Sequence, residues 1–255
     1  MDSIDTELAA RIRQDIILGA YEEGERLSEA RLCETHRVSR TPVRLALRML
    51  EREGVVRRGK GRGYLVQSPT VHDIIQAMEV RGHLESLAAR LMAQSPKREL
   101  SLPAMESAIE ETDRLIDAGV FDDAALRRTQ QQNALFHMTI LDGCGNDFVS
   151  FSCSRISHLP MLQVGSMAFD KRVSSTPDDV KRTHFRLSLG NAQHKVICEA
   201  IQLGDGVRAE GMMREHSRTM VECIQSFERL EGVLTVADLV AYSTGDPLAP
   251  VSLRR

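Results

Sequence analysis

Apolar residues recur at helical spacing through nearly all of the chain from Val71 to about residue 230. This 3.6-residue periodicity limits the possible folds, because each such segment must bury one face against other helices. Glycine and proline residues interrupt the pattern and predict six helices, near residues 71–95, 101–118, 122–143, 147–164, 181–203 and 206–230. This part of the chain is therefore predicted to form an all-helical bundle of six to seven helices.

The first 66 residues follow a different pattern and predict a smaller domain. Three short helical segments end in a hairpin: the second helix is predicted over Glu29–His36, and the third runs to about Glu53. Two β-like runs, 55–56 and 64–66, flank a basic glycine-rich tip. This order predicts a winged helix-turn-helix.

The predicted fold is mostly α, with four segments along the chain. Residues 1–66 form the winged helix-turn-helix domain and residues 67–70 a linker. Residues 71–230 form the helical domain, which we expect to bind an effector and to dimerise. Residues 231–255 are predicted to be a partly disordered tail with a weak helical pattern.

Charge is distributed unevenly, although the net charge is only −3. Residues 31–64 carry ten Lys or Arg against three acids, whereas residues 71–255 carry 20 basic and 25 acidic residues. A basic module joined to an acidic remainder is typical of a DNA-reading domain attached to a sensing or oligomerising domain. On charge alone, a solvated helix face is the alternative interpretation.

Arg40, Arg44 and Arg48 follow one another at four-residue spacing on the third predicted helix and share one of its faces. A guanidinium can bond guanine through two parallel hydrogen bonds, and the first residues of such a helix reach base edges. Ser39 and Thr41 offer hydroxyls and backbone N–H groups to phosphates at the same helix end. The residues predicted to contact DNA, with those of the wing, are Ser39, Arg40, Thr41, Arg44, Arg48, Lys60, Arg62 and Gly63.

Three of the eight histidines, His137, His194 and His216, lie on the inward faces of three separate predicted helices. Neutral imidazoles are common ligands of Zn²⁺ and Ni²⁺, and the core of a bundle can bring such side chains together. Asn133 lies four residues before His137 and could add an oxygen ligand. For each histidine alone, a hydrogen-bonded core residue remains the alternative.

Arg81 lies within the apolar arc of the first helix of the bundle, where a guanidinium must be paired. An ion pair with Glu85, one helical turn on, is one interpretation. The other is a clamp for the carboxylate of a bound effector, because arginine matches that geometry with two hydrogen bonds.

Several classes of protein do not fit the sequence. The five cysteines form no CxxC and no regular spacing, so neither a disulfide framework nor a zinc ribbon is indicated. No apolar stretch approaches the roughly 20 residues of a membrane span. The first residues are amphipathic and carry acids, unlike a signal peptide, and we expect a cytoplasmic protein.

The first domain resembles the DNA-binding domain of GntR-type bacterial transcription regulators. The resemblance implies that Arg40 and Arg44, with glycine and basic residues of the wing, contact operator DNA. Ala30 departs from the pattern, because many members have arginine there; that contact is missing or has moved to Arg31 or Arg37. The matching runs are Gly24–Glu29, Val38–Arg44, Ala46-Leu47, Leu50, Glu53-Gly54 and Gly61–Gly63.

The helical part resembles the FCD ligand-binding domain of the FadR subfamily of these regulators. That resemblance implies a divalent metal, Zn²⁺ or Ni²⁺, held by an aspartate and three histidines beside a small organic acid. The histidines map to His137, His194 and His216, but Asn133 stands at the aspartate position. Since a neutral amide binds Zn²⁺ poorly, a metal-free pocket in which the same histidines bind the effector stays open. The matching motifs are Glu79–Arg81, Leu84-Glu85, Ala88-Ala89, Asn133–His137, Gly145-Asn146, His194 and Arg214–His216.

Within the subfamily, the run Glu79–Glu85 and the asparagine at 133 are most similar to vanillate-responsive VanR-type regulators, which implies an aromatic carboxylate as the effector. We therefore predict a homodimeric transcription repressor, not an enzyme, that a small carboxylate releases from its operator. Binding in the bundle is expected to change the placement of the two DNA-binding domains through residues 67–70. A metal-dependent helical-bundle enzyme and a helical scaffold with an incidental basic patch are the alternatives.

Overall fold

The computed structural model describes residues 3–60, 63–157, 159–170, 176–231 and 234–241. These residues divide into two compact units. The first unit holds the residues up to Asp73 together with Thr235–Ala237, and the second holds Ile74–Leu234 and the residues from Asp238 on. All five cysteines are free thiols.

The first unit combines three helices with a small antiparallel sheet of strand order β1-β3-β2. This is the predicted helix-turn-helix with its wing. The sheet gains a strand, β1, from a segment for which the sequence predicted no strand. The elements are α1 (Ile4–Ile17), β1 (Arg26–Leu27), α2 (Glu29–His36), α3 (Arg40–Arg52), β2 (Val56–Arg58) and β3 (Tyr64–Val66).

Helices α1 and α3 pack against each other through fully buried aliphatic residues, among them Ile12 and Leu47. Arg13 on α1 donates two parallel hydrogen bonds of 2.8 Å to Glu53, directly after α3. The turn between α2 and α3 is three residues long, and Arg37 ends α2 with a positive φ of 53°. A turn of this length is typical of a helix-turn-helix and fixes where α3 begins.

The wing depends on a glycine at the start of β3. Gly63 has a φ of +111°, and a Cβ there would lie 3.0 Å from the carbonyl oxygen of Leu27 on β1. Only glycine adopts this backbone conformation readily, and only glycine leaves room for β1 to approach so closely. Gly63 therefore allows β3 to pair with β1 on one side and with β2 on the other.

The second unit is a bundle of six α-helices within the described residues, in agreement with the predicted six to seven. Short 3-10 turns lie between some of them, and two strands pair antiparallel. The elements are α4 (Val71–Gln94, its first turn in the first unit), α5 (Leu102–Asp117), α6 (Asp123–Gly143), α7 (Asp147–Ile156), β4 (Ala168–Asp170), α8 (Pro177–Gln202), α9 (Gly206–Glu231) and β5 (Leu239–Ala241).

Two predicted helix boundaries are wrong. Helix α7 ends at Ile156 and not at residue 164, because Pro160 cannot sit in a helix interior and instead begins a 3-10 turn. Helix α8 begins four residues earlier than predicted, at Pro177, where Thr176 and Asp179 form a capping box.

The tail also differs from its predicted pattern. Its described part forms a 3-10 turn at Val236–Asp238, followed by strand β5, where a weak helical pattern was noted. Residues 232–233 and 242–255 lie outside the described residues, so the predicted disorder stays a prediction. The backbone of β5 pairs with β4, a contact between segments about 70 positions apart that local periodicity cannot indicate.

The core of the second unit lies among α4, α5, α6, α7, α8 and α9. Met92, Met105, Phe136, Ile201 and Met213 are completely buried there. Helix α6 packs on α5, and α8 packs on both α5 and α9. This packing brings the inward faces of α6, α8 and α9 together, which positions the three histidines.

Candidate functional site

Helix α3 presents its basic residues to solvent. Its inward face is fully buried at Val43, Ala46, Leu47 and Leu50. Ser39, Arg40, Thr41, Arg44 and Arg48, the predicted DNA contacts of this helix, are all exposed. The first unit therefore offers a row of guanidiniums on one helix face, as a helix that enters a DNA groove requires.

Arg44 is held by an exposed ion pair. Its Nε lies 2.8 Å from Oε2 of Glu29 on α2. Among the described residues, the structure shows no ion pair for Arg40 or Arg48. Because an exposed pair contributes little free energy, Arg44 can exchange Glu29 for a base or a phosphate.

The wing places further cations beside α3. Arg57, Arg58 and Lys60 are exposed, and Gly63 occupies the strained position described above. Arg58 pairs with Glu51 at 3.2 Å and lies over the ring of Tyr64. Arg62, which was predicted to contact DNA, lies outside the described residues.

The three predicted histidines converge in the second unit. His137 on α6, His194 on α8 and His216 on α9 are 4%, 4% and 9% exposed. The Nε2 atom of His194 lies 3.3 Å from Nε2 of His137 and 3.2 Å from Nε2 of His216. One nitrogen from each ring lies within 4.8 Å of the other two, so a single cation can contact all three.

Each ring is oriented by a neighbouring side chain. Nδ1 of His137 lies 2.6 Å from Oε2 of Glu85, and Nδ1 of His216 lies 2.9 Å from Oε1 of Gln193. The ring of Phe136 stacks on His194 with centroids 4.0 Å apart. A polar partner at Nδ1, unlike a stacked ring, fixes which imidazole nitrogen carries the proton and which is free to bind a metal.

Sequence reasoning missed two of these orienting residues. The sequence indicates Glu85 as a partner of Arg81 and as part of a matching motif, but not as a partner of His137, and it does not single out Gln193. Spacing along α4 indicates the pair within that helix, but nothing in the sequence shows that α6 brings His137 to the other carboxylate oxygen.

Two of the histidines and Glu85 differ in charge near neutral pH. Burial, followed by the neighbouring His216 and His137, lowers the pKa of His194 well below its usual value. Burial likewise lowers the pKa of His216 to about 3. Burial alone would raise the pKa of Glu85, but His137 and Arg81 outweigh it and hold that pKa at about 2. His194 and His216 are thus neutral and Glu85 is ionised near neutral pH.

This donor set fits a divalent cation. With protons on the Nδ1 atoms that face Glu85 and Gln193, the Nε2 atoms of His137 and His216 present bare lone pairs. The single proton that Nε2 of His194 can carry forms a hydrogen bond with only one of these two lone pairs. Ligands in neighbouring positions around a cation with bonds near 2.1 Å lie about 3.0 to 3.4 Å apart, between octahedral and tetrahedral geometry. The separations of His194 from the other two rings, 3.3 and 3.2 Å, match that range, and the third pair lies within 4.8 Å.

Asn133 lies beside the histidines, and its side chain also bonds to the backbone of another segment. Its Nδ2 donates a 2.6 Å hydrogen bond to the carbonyl oxygen of Gly165, in the segment between α7 and β4. Gly165 has a φ of +65°, and a Cβ there would lie 2.6 Å from Cα of Ala134. The Asn133 amide therefore fastens this segment to α6, and its Oδ1 is the atom available to a ligand.

Arg81 is buried and pairs with groups inside the second unit. It is 7% exposed, its Nε lies 2.9 Å from Oε1 of Glu85, and it donates hydrogen bonds to Gln163 and Ser166. This geometry favours the internal ion pair of the two interpretations. Arg81 is not among the residues that line the cavity described next, so its direct contact with an effector stays a prediction.

A small cavity, partly open to solvent, adjoins the histidines. Its wall combines three apolar side chains, Met167, Leu187 and Met220, with polar groups from α5, α6, α8 and α9. A concave site with an apolar wall and a few polar groups is typical of small-molecule binding. The residues that line it are Thr112, Thr129, Asn133, Met167, Arg186, Leu187, Gly190, Asn191, Gln193, His194, His216, Thr219, Met220 and Cys223.

Comparisons with known proteins agree with both units. The family "Bacterial regulatory proteins, gntR family" matches residues 5–66, and the FCD domain matches residues 76–219. The transcriptional regulator YdhC of Bacillus subtilis is 31% identical over 52% of this chain, but the match spans only 57% of YdhC. The repressor GlaR of Escherichia coli is 23% identical over 84% of this chain and 92% of its own length.

The fold also has solved relatives. The structure of McbR/YncC from Escherichia coli covers 89% of this chain and 99% of its own, with a TM-score of 0.54 and 18% identity. Among the helices in the described part of the chain, none has both the length and the apolar character of a bilayer span.

These findings bear on the alternatives left open by the sequence. The family and the relatives are transcription regulators, so the interpretation as a metal-dependent enzyme is not supported. The same family pairs a DNA-binding unit with a unit that responds to a ligand. The similarity to VanR-type regulators is not tested by these comparisons. The chain therefore belongs to the gntR family of bacterial transcription regulators, with an N-terminal helix-turn-helix and a C-terminal FCD domain, and is not an enzyme.

Proposed function

We propose that this regulator is a repressor that binds its operator as a homodimer and leaves it when a small carboxylate enters the cavity of the second unit. The convergence of three imidazole nitrogens within 4.8 Å, with His194 and His216 in the cavity wall, carries this proposal. The name of the relative GlaR supports repression rather than activation. We expect it to act in the cytoplasm, where it meets operator DNA.

We infer that DNA is read by the exposed face of α3 and the wing. Arg40, Arg44 and Arg48 offer guanidiniums to base edges and phosphates, and Ser39 and Thr41 offer hydroxyls and N–H groups at the start of the helix. Their exposure opposite a fully buried face supports this assignment. The wing contacts we propose are those of Lys60, Arg62 and Gly63.

We infer that His137, His194 and His216 hold Zn²⁺ or Ni²⁺, with the amide oxygen of Asn133 as a weaker further ligand. The metal, when bound, supplies a positive centre for a carboxylate oxygen. Glu85 fixes the ring of His137 through its Nδ1, and Arg81 holds Glu85 in place, so we assign Arg81 an indirect part in effector binding. Without a metal, the same imidazoles would bind the carboxylate directly.

We propose an aromatic carboxylate, with vanillate as the first compound to test. The apolar wall formed by Met167, Leu187 and Met220 can cover a ring, and the polar end of the cavity can hold the carboxylate. Binding would shift the population of the regulator towards a form with lower affinity for the operator, by as much as the effector prefers that form.

The test begins with a random-sequence library, from which the full-length protein selects the DNA duplexes that it binds. We expect vanillate or another carboxylate, in the presence of Zn²⁺ or Ni²⁺, to weaken binding of the selected duplex in a mobility-shift assay. A chelator should reduce this response if the metal takes part, and leave it unchanged if the imidazoles act alone. Failure to select any DNA sequence would contradict the regulator, and selected DNA that no acid releases would contradict the effector mechanism.

A further inference from the structure

Three polar side chains of the cavity wall donate hydrogen bonds to backbone carbonyl oxygens. Thr112 and Thr129 donate their hydroxyl hydrogens to carbonyl oxygens one turn earlier in their own helices, at 2.8 and 2.9 Å. Asn133 donates from Nδ2 to Gly165. In each case an oxygen lone pair is the group left for a ligand. These three side chains can therefore accept hydrogen bonds from a ligand but have few N–H or O–H groups left to donate.

Asn191, on α8 in the same wall, presents the clearest case. Its Nδ2 donates to the carbonyl oxygen of Ile109 at 3.0 Å and to Oδ1 of Asp113 at 2.8 Å. Both partners accept hydrogen bonds, so the amide atom that faces them is the nitrogen, and Oδ1 is the atom left without a role in these contacts. The side chain is 3% exposed, and its Oδ1 has no hydrogen-bond partner among the described residues.

A buried acceptor without a donor is costly, and such groups in native proteins call for an explanation. Asn191 lines the cavity and lies three positions before His194, so it faces the same side of α8 about 4.5 Å along the helix axis. A ligand held at the imidazoles would therefore extend past the Asn191 oxygen.

We propose that the cavity selects a hydroxylated organic acid, and that Oδ1 of Asn191 accepts the hydrogen bond of the hydroxyl group. This inference rests on the proposed effector site and adds the chemical class of its ligand. The acid group lies at the imidazoles, and the hydroxyl lies within a few bonds of it, as in a 2-hydroxy acid or a 3-hydroxybenzoate. An analogue without the hydroxyl leaves the Asn191 oxygen buried and unpaired, which is why a site of this kind rejects it.

The test compares pairs of acids that differ by one hydroxyl: lactate and propionate, malate and succinate, 3-hydroxybenzoate and benzoate. Calorimetry on the full-length protein with Zn²⁺ should give at least one pair in which the hydroxy acid binds about 10- to 100-fold more tightly. Asn191→Ala should bring that ratio close to one. Asp113→Ala is the matched control, because it removes a partner of Nδ2 but leaves Oδ1 in place, and the ratio should persist.

The outcomes separate this inference from the proposed function. The hydroxyl contact is wrong if acids bind but the two members of every pair have equal affinity. It is also wrong if Asn191→Ala lowers the affinity for both members of a pair equally. In both cases the effector site stands. If aspartate binds as tightly as malate, selection for a hydroxyl is wrong, because an ammonium donor serves equally. If neither these acids nor vanillate binds to the protein, the proposed effector site fails, and the inference fails with it.

Discussion

The two units carry their functional groups in opposite ways. In the first unit, the side chains that we expect to touch DNA are exposed cations on the outer face of α3, and the buried face of that helix only positions them. In the second unit, the groups that we expect to bind a ligand are buried imidazoles, oriented by buried polar partners. A substitution should therefore cost little stability in the first case and much in the second.

The largest effect is expected at the buried ion pair. Glu85→Ala leaves Arg81 without its carboxylate partner and removes the carboxylate beside Nδ1 of His137, in a region where both Arg81 and Glu85 are less than 10% exposed. We expect the free energy of unfolding to fall by about 3–5 kcal/mol, because an uncompensated charge remains buried. Urea denaturation measures this change.

The matched control is an exposed pair of the same spacing. Arg218 and Glu222 on α9 are 71% and 59% exposed, and Glu222→Ala should change the free energy of unfolding by less than about 1 kcal/mol. Equal losses in the free energy of unfolding for Glu85→Ala and Glu222→Ala would contradict the expected difference between a buried and an exposed ion pair.

The second prediction concerns metal affinity. Gln193→Ala removes the group that holds Nδ1 of His216, while all three imidazoles remain. We expect about 10- to 100-fold weaker binding of Zn²⁺, because orienting partners of metal ligands have effects of this size. Binding of the selected duplex without effector should be unchanged.

A competition assay with a colorimetric chelator measures the zinc affinity. Gln202→Ala, at an exposed position at the end of the same helix, is the control and should bind Zn²⁺ like the unaltered protein. An unchanged affinity in Gln193→Ala would show that this residue does not position His216.

The third prediction separates two serines at equivalent places in the first unit. Ser28 caps α2 by accepting a hydrogen bond from the backbone N–H of Arg31, whereas Ser39 precedes α3 and makes no such bond. Ser28→Ala should therefore lower the free energy of unfolding by about 1 kcal/mol. Ser39→Ala should leave stability nearly unchanged and weaken DNA binding instead.

Thermal unfolding and duplex binding, measured on both serine variants, give the four values needed. A loss of stability in Ser39→Ala as large as that in Ser28→Ala would mean that Ser39 serves the fold rather than the DNA.

The sequence predicted the first unit well because its features are local. The spacing of Arg40, Arg44 and Arg48 on one helix face is defined within a few residues. Strand β1 was missed because two residues carry no periodicity, and its pairing with Tyr64 and Leu65 is set by a distant segment.

The second unit was predictable only in part. The helical faces of His137, His194 and His216 could be assigned, and the bundle brings them together as expected. The contact of Glu85 with His137, the buried oxygen of Asn191 and the β4–β5 pair depend on residues far apart in the chain. Periodicity shows which face is inward, but it does not show which side chains from different helices meet.

The central claim is that the exposed cations of α3 read DNA. Fluorescence anisotropy should compare Arg44→Ala with Arg11→Ala, an exposed arginine of α1, on the selected duplex and on random-sequence DNA. We predict that Arg44→Ala loses about 1–3 kcal/mol of binding free energy on the selected duplex and much less on random DNA. Arg11→Ala should lose little on either. Equal losses for Arg44→Ala and Arg11→Ala on both duplexes would contradict the claim.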